Sequence, residues 1–83
     1  MPAKKQIHTA RHQLFRSLLI EARKAHGLTQ TDVANRLGKP PSFVAKYELG
    51  ERRLDVLEFV DLAKVIGFDA ADLMRRLAES SAE

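Results

Sequence analysis

The stretch Gln30-Thr-Asp-Val-Ala-Asn-Arg-Leu-Gly-Lys-Pro-Pro-Ser-Phe-Val-Ala-Lys-Tyr-Glu48 reads as two short helices joined by a tight turn. Thr29 precedes it as an N-cap, and Asp32, three residues on, is placed to reach back as in a capping box. Val33, Ala34 and Leu37 then give an apolar stripe at helical spacing. Gly38 ends that helix, because glycine takes the left-handed conformation that a C-terminal cap needs. Pro41 suits the first position of a new helix and keeps Pro40 out of the helical region, so the next helix starts at Pro41. Val44 and Tyr47 face inward from it.

Small Ala34 lies four residues before the turn glycine, Gly38, and β-branched Val44 lies six after it. A small side chain lets two helices cross closely, the glycine makes the turn, and the branched residue fills the gap between them. That constellation resembles the helix-turn-helix of DNA-binding proteins. The longer string Gly27-Leu-Thr-Gln-Thr-Asp-Val-Ala-Asn-Arg-Leu-Gly38, followed by Val44, Tyr47-Glu48 and Gly50, is similar to the Cro/CI-repressor (XRE) family. The likeness runs from about residue 14 to residue 77. It implies an all-α fold: a compact five-helix bundle of the lambda-repressor-like type, with the helix-turn-helix in helices two and three.

Eighty-three residues make one small domain, near the lower limit for a core that holds without staples. The chain has no cysteine, which excludes a disulfide scaffold and thiolate metal sites. Its apolar runs are too short for a membrane span, and Lys4 and Lys5 are not followed by the apolar region of a signal peptide. A reducing cytoplasm is the expected location. The net charge of +3 is unevenly spread: residues 1–53 hold eleven basic against four acidic side chains, and residues 54–83 hold three against seven. Such a gradient can orient a protein on a polyanion, although a solvated basic face would look the same.

Residues 1–8, polar and basic, are expected to form a flexible arm, 9–79 the single domain, and 80–83 a frayed tail. Thr9 caps a first helix running to about His26, with Leu14, Phe15, Leu18, Leu19, Ala22 and Ala25 on one face at about 100° per residue. His8 and His12, four apart, have the spacing of metal ligands on a helix. With no third ligand close in sequence they read as exposed histidines, and no metal or cofactor is expected.

The resemblance assigns roles residue by residue. It implies that Arg23 pairs with Glu48 at the end of the recognition helix, a bidentate contact tying two helix ends together. It implies that Gln30, in the first turn of its helix, meets a DNA phosphate. The outward residues of the recognition helix would enter the major groove. There Lys46 can donate to guanine, Ser42 to a base or a phosphate, and Pro41, Phe43 and Ala45 offer apolar contact to thymine methyls. Arg52 and Arg53, in the loop after Gly50, would approach the sugar-phosphate backbone. The chain departs from the family where two prolines open the recognition helix, and where Leu49 replaces an asparagine before the glycine. Few long polar side chains remain for direct readout, which gives DNA shape a larger share.

Asp55 and Glu58 form a second capping-box pattern, opening a fourth helix that Gly67 ends. Its core arc is expected to be Val56, Phe59, Val60, Ala63 and Ile66. Leu62 and Val65 then project elsewhere, on an otherwise acidic segment, and mark a homodimer interface. Phe68 plugs the next connection, Asp69 caps a fifth helix, and Leu73, Met74 and Leu77 close the core. No nucleophile-base arrangement or glycine-rich phosphate loop suggests an enzyme. The expected function is a sequence-specific regulator of double-stranded DNA acting as a homodimer, a repressor in the first instance. Within that class an antitoxin or a restriction–modification controller is possible, and the alternative is a protein-interaction module or antitoxin retaining the helix-turn-helix fold.

Overall fold

The computed structural model describes residues 9–81, and they form five helices: α1 Ala10–Ala25, α2 Gln30–Leu37, α3 Pro41–Leu49, α4 Val56–Ile66 and α5 Ala70–Glu79. There is no strand among the described residues. The expected N-terminal arm, including His8, lies outside them.

Short-range chemistry sets the helix ends. Thr29 and Asp32 exchange side-chain and backbone bonds in a complete capping box, and Asp55 and Glu58 do the same at the start of α4. Each box satisfies two of the backbone donors that a helix start leaves open. Pro41 stands at the first position of α3, where a missing N–H costs nothing. Gly38, at φ 70°, ends α2 and lets Lys39 N donate to the Ala34 carbonyl at 3.0 Å, closing the turn into α3.

The helices bury one apolar core around Leu19, Val33, Ala34, Val44, Tyr47 and Leu62. α3 packs against α1 and α2, α4 against α2 and α5, and α5 closes back on α1. Ala34 and Val44 are both fully buried at the α2–α3 crossing, where a small residue and a branched one give close packing. Phe15, Phe59 and Phe68 stack in sequence, with ring centroids 5.6 and 5.7 Å apart, joining α1, α4 and the loop before α5.

Helix α4 corrects the expected packing. Its buried face is Phe59, Leu62, Ala63 and Ile66, whereas Val56 is 74% exposed and Val60 is half-buried. Leu62 is fully buried within the chain, so it cannot be the surface of a homodimer interface. Val65 is half-buried against the same core, and its carbonyl accepts from Arg36 Nη1 at 2.7 Å. The cause is α2, which packs on α4 and covers the side assigned to a partner. Met74, expected in the core, is exposed on α5.

Candidate nucleic-acid interface

The recognition helix is held from behind by a polar cluster. Arg23 Nε donates to Glu48 Oε2 at 2.8 Å, and Nη2 donates to Oε1 at 3.0 Å. The third guanidinium nitrogen, Nη1, donates to the Leu28 carbonyl at 2.9 Å. Gln30 Nε2 adds a bond to Glu48 Oε1 at 2.8 Å. Both charged side chains of the pair are nearly buried. The hydrogen bonds to Glu48 raise the Arg23 guanidinium above its ordinary pKa, outweighing burial. One carboxylate thus gathers α1, the start of α2 and the end of α3. Gln30 is half-buried, and its contact to Glu48 uses one of the two N–H donors of its amide.

The outer face of α3 is open. Pro41, Ser42 and Lys46 are exposed and Ala45 is half-buried, while Leu49 is 65% exposed beyond them. Phe43 does not belong to this face. It is 8% exposed and lies in the core, edge-on to Tyr47 at 5.7 Å. Two cations cover its ring: the Arg52 guanidinium at 4.6 Å and Lys39 Nζ at 5.6 Å. Phe43 is therefore corrected from a base contact to an anchor that seats basic side chains at the rim of α3.

The loop arginines differ from each other. Arg52 forms a fork with Glu58, Nη2 to Oε2 at 2.7 Å and Nη1 to Oε1 at 3.0 Å, and Nη1 also donates to the Arg53 carbonyl at 2.8 Å. Its charge is largely matched within the chain by Glu58. Arg53 is exposed. Glu58 serves twice, because its carboxylate also accepts from Asp55 N in the capping box. These contacts hold its carboxyl down at about 2, the Arg52 hydrogen bonds first and the Asp55 backbone second. A carboxyl depressed on folding adds stability that is complete above its ordinary value of 4.5 and fades as pH falls toward 2. Glu58→Gln should accordingly flatten the loss of stability across that acid window, read from urea midpoints at successive pH values. A wild-type acid slope in the variant would remove Glu58 from the acid transition.

Sequence reasoning passed over Arg16 altogether. It lies seven residues before Arg23, on the same side of α1. Its guanidinium lies so close to Gly50 that a Cβ there would come within 2.9 Å. Gly50 also ends α3 at φ 81°, a backbone conformation that L side chains adopt only under strain. The seven-residue interval was the available signal.

The helix-turn-helix family HTH_3 matches residues 19–73, which include all of α2, α3 and α4. The chain belongs to this family. A solved structure described as an XRE-family like protein from Pseudomonas syringae pv. tomato str. DC3000 is 53% identical. It covers 92% of this chain and 93% of its own, with a TM-score of 0.82. No curated protein sequence gives a significant match. The fold and the family together place the chain among XRE-type helix-turn-helix proteins, a group of DNA-binding regulators. No helix among the described residues is long and apolar enough to cross a membrane.

Proposed function

We propose that the protein is a sequence-specific regulator of double-stranded DNA that binds as a homodimer and represses by covering the promoter. The carrying observation is the braced recognition helix, whose outer side presents Ser42, Lys46, Pro41 and Ala45 while Glu48 is clamped by Arg23 and Gln30. A rigid element that carries its polar side chains outward is what base readout in a major groove requires. Lys46 and Ser42 read bases, Arg53 and the free N–H of the Gln30 amide meet phosphates, and Arg52 contributes field more than contact. The homodimer follows from the size of one reading head, since two heads about 34 Å apart engage successive major grooves. The exposed apolar residues nearest the loop, Val56 at 74% and Leu57 at 75%, supply the surface for the two-fold contact in place of Leu62 and Val65.

Selection of bound duplexes from a random library, followed by titrations at several salt concentrations, tests this reading. A two-fold symmetric site should emerge. Lys46→Ala should relax preference at one position by about 1–3 kcal/mol. Arg53→Ala should lower affinity evenly and flatten the slope of log K against log salt by about 0.9. No enrichment over the starting library would overturn the function. The exposed Leu49 favours the second reading, a protein-interaction module that keeps the fold without DNA readout, which would show no salt-dependent affinity for any duplex.

A further inference from the structure

Arg52 belongs to the loop between α3 and α4, yet its guanidinium lies against the recognition helix. It stacks 4.6 Å from the centroid of the Phe43 ring, and Phe43 is the third residue of α3. From α4, Glu58 closes the fork with it, Nη2 to Oε2 at 2.7 Å and Nη1 to Oε1 at 3.0 Å. Nη1 also donates to the Arg53 carbonyl at 2.8 Å, inside the same loop. Ion pairs near a surface usually contribute little, but bidentate pairs are the exception, and the aromatic face adds a cation–π contact. Three partners therefore hold Arg52 in one place.

That place is the rim of the face proposed for a duplex. Exposed Ser42 precedes Phe43 in the first turn of α3, the end of a recognition helix that meets base edges. The Arg52 side chain is itself 40% exposed. An arginine so placed suits a phosphate, since it carries a forked donor and a full charge on a long stem. Phe43 gathers a second cation, with Lys39 Nζ 5.6 Å over the same ring. The Glu58 fork is given to Arg52.

We infer that Glu58 is a positioning residue of the DNA-binding face: it holds Arg52 back from phosphates and limits the affinity that any duplex would satisfy. This role rests on the DNA-binding reading above. A cation that neutralises a phosphate releases counterions whatever the sequence, whereas base contacts carry the preference. An arginine already matched by a carboxylate releases none. To reach a phosphate, Arg52 would break two charge-assisted hydrogen bonds. It would also leave the Glu58 carboxylate unpaired beside an anionic backbone, and that repulsion opposes the exchange.

Glu58→Gln isolates the restraint, because glutamine also completes a capping box at this position. The full chain is titrated with a fixed mixed-sequence duplex across a salt series from about 50 to 200 mM. Glu58→Gln should bind more tightly than wild type. Its slope of log K against log salt should be steeper by about 0.9, the value of one added phosphate contact. Arg52→Gln with Glu58→Gln removes the pair as a unit and should return the slope to that of wild type. A gain in affinity is a readout that damage to a loop brace would not give. Equal or weaker binding by Glu58→Gln, folded by circular dichroism, overturns the restraint and leaves the fork as a brace. A double variant as tight as Glu58→Gln overturns it too, since the lost negative charge alone then gave the gain. So does a double variant whose slope is flatter than wild type by about 0.9, because Arg52 then already leaves Glu58 for a phosphate. If Glu58→Gln fails to fold, Arg52→Lys keeps the charge without the fork, and a slope no steeper than wild type overturns the restraint. Absence of duplex binding in wild type and every variant overturns the DNA-binding reading and this role with it. All the other outcomes require a measurable wild-type slope, so the two failures are distinct.

Discussion

Arg23→Ala and Glu48→Ala should each lower the free energy of unfolding by about 3–5 kcal/mol, because either change strands a nearly buried charge. A pair at the open surface would give about 0–1 kcal/mol. Domains of this kind have roughly 5–15 kcal/mol in total, so either variant approaches the limit of folding. The loss comes less from the pair's own strength than from the donors and acceptors left behind. Glu48 accepts three hydrogen bonds, two from Arg23 and one from Gln30. Arg23→Ala leaves it with one. Glu48→Ala leaves Arg23 with only the Leu28 carbonyl and frees the Gln30 amide. The double variant should therefore cost clearly less than the sum of the singles. Gln30→Ala, which removes one neutral donor to a charged acceptor, should cost about 1.5–3 kcal/mol. Urea melts of the four proteins measure all of this. Single variants within 1 kcal/mol of wild type, on the surface-pair scale, would mean that the cluster holds nothing.

The helix boundaries were legible because the residues that set them act locally. A capping box needs two side chains three residues apart, and an αL cap needs a glycine, so Thr29, Asp32, Gly38, Asp55, Glu58 and Gly67 could be read without tertiary structure. The helix-turn-helix was legible for a related reason, since Ala34, Gly38 and Val44 carry its geometry at fixed intervals. Tertiary burial was less so. Phe43 looked free to contact DNA, because nothing in its neighbourhood shows that Arg52 and Lys39 fold over its ring. The fork between Arg52 and Glu58 was not legible either, because Glu58 read as a capping residue and serves as both cap and partner.

The case of α4 explains the largest error and leads to the sharpest test. Val56, Leu57, Phe59, Val60, Leu62, Ala63, Val65 and Ile66 make this helix apolar on most of its circumference. Two overlapping arcs then satisfy the same helical spacing. One begins at Val56 and leaves Leu62 outside; the other buries Phe59, Leu62, Ala63 and Ile66, and it is the one observed. The neighbours decide between them, since α2 and α5 pack on α4 while Val56 and Leu57 stay exposed. Leu62→Ala should thus behave as a core truncation, costing about 2–5 kcal/mol at any protein concentration, because the site around a fully buried leucine relaxes only in part. Leu57→Glu with Val56→Glu should leave the urea midpoint of the monomer near wild type, yet shift sedimentation from dimer to monomer at micromolar concentration. Each measurement has a result that sinks it. A Leu62→Ala protein as stable as wild type would place that side chain outside the core, and a dimer indifferent to glutamates at 56 and 57 would move the two-fold contact off the start of α4. Stability and assembly should then separate on one helix, with Leu62 governing the first and the first turn governing the second.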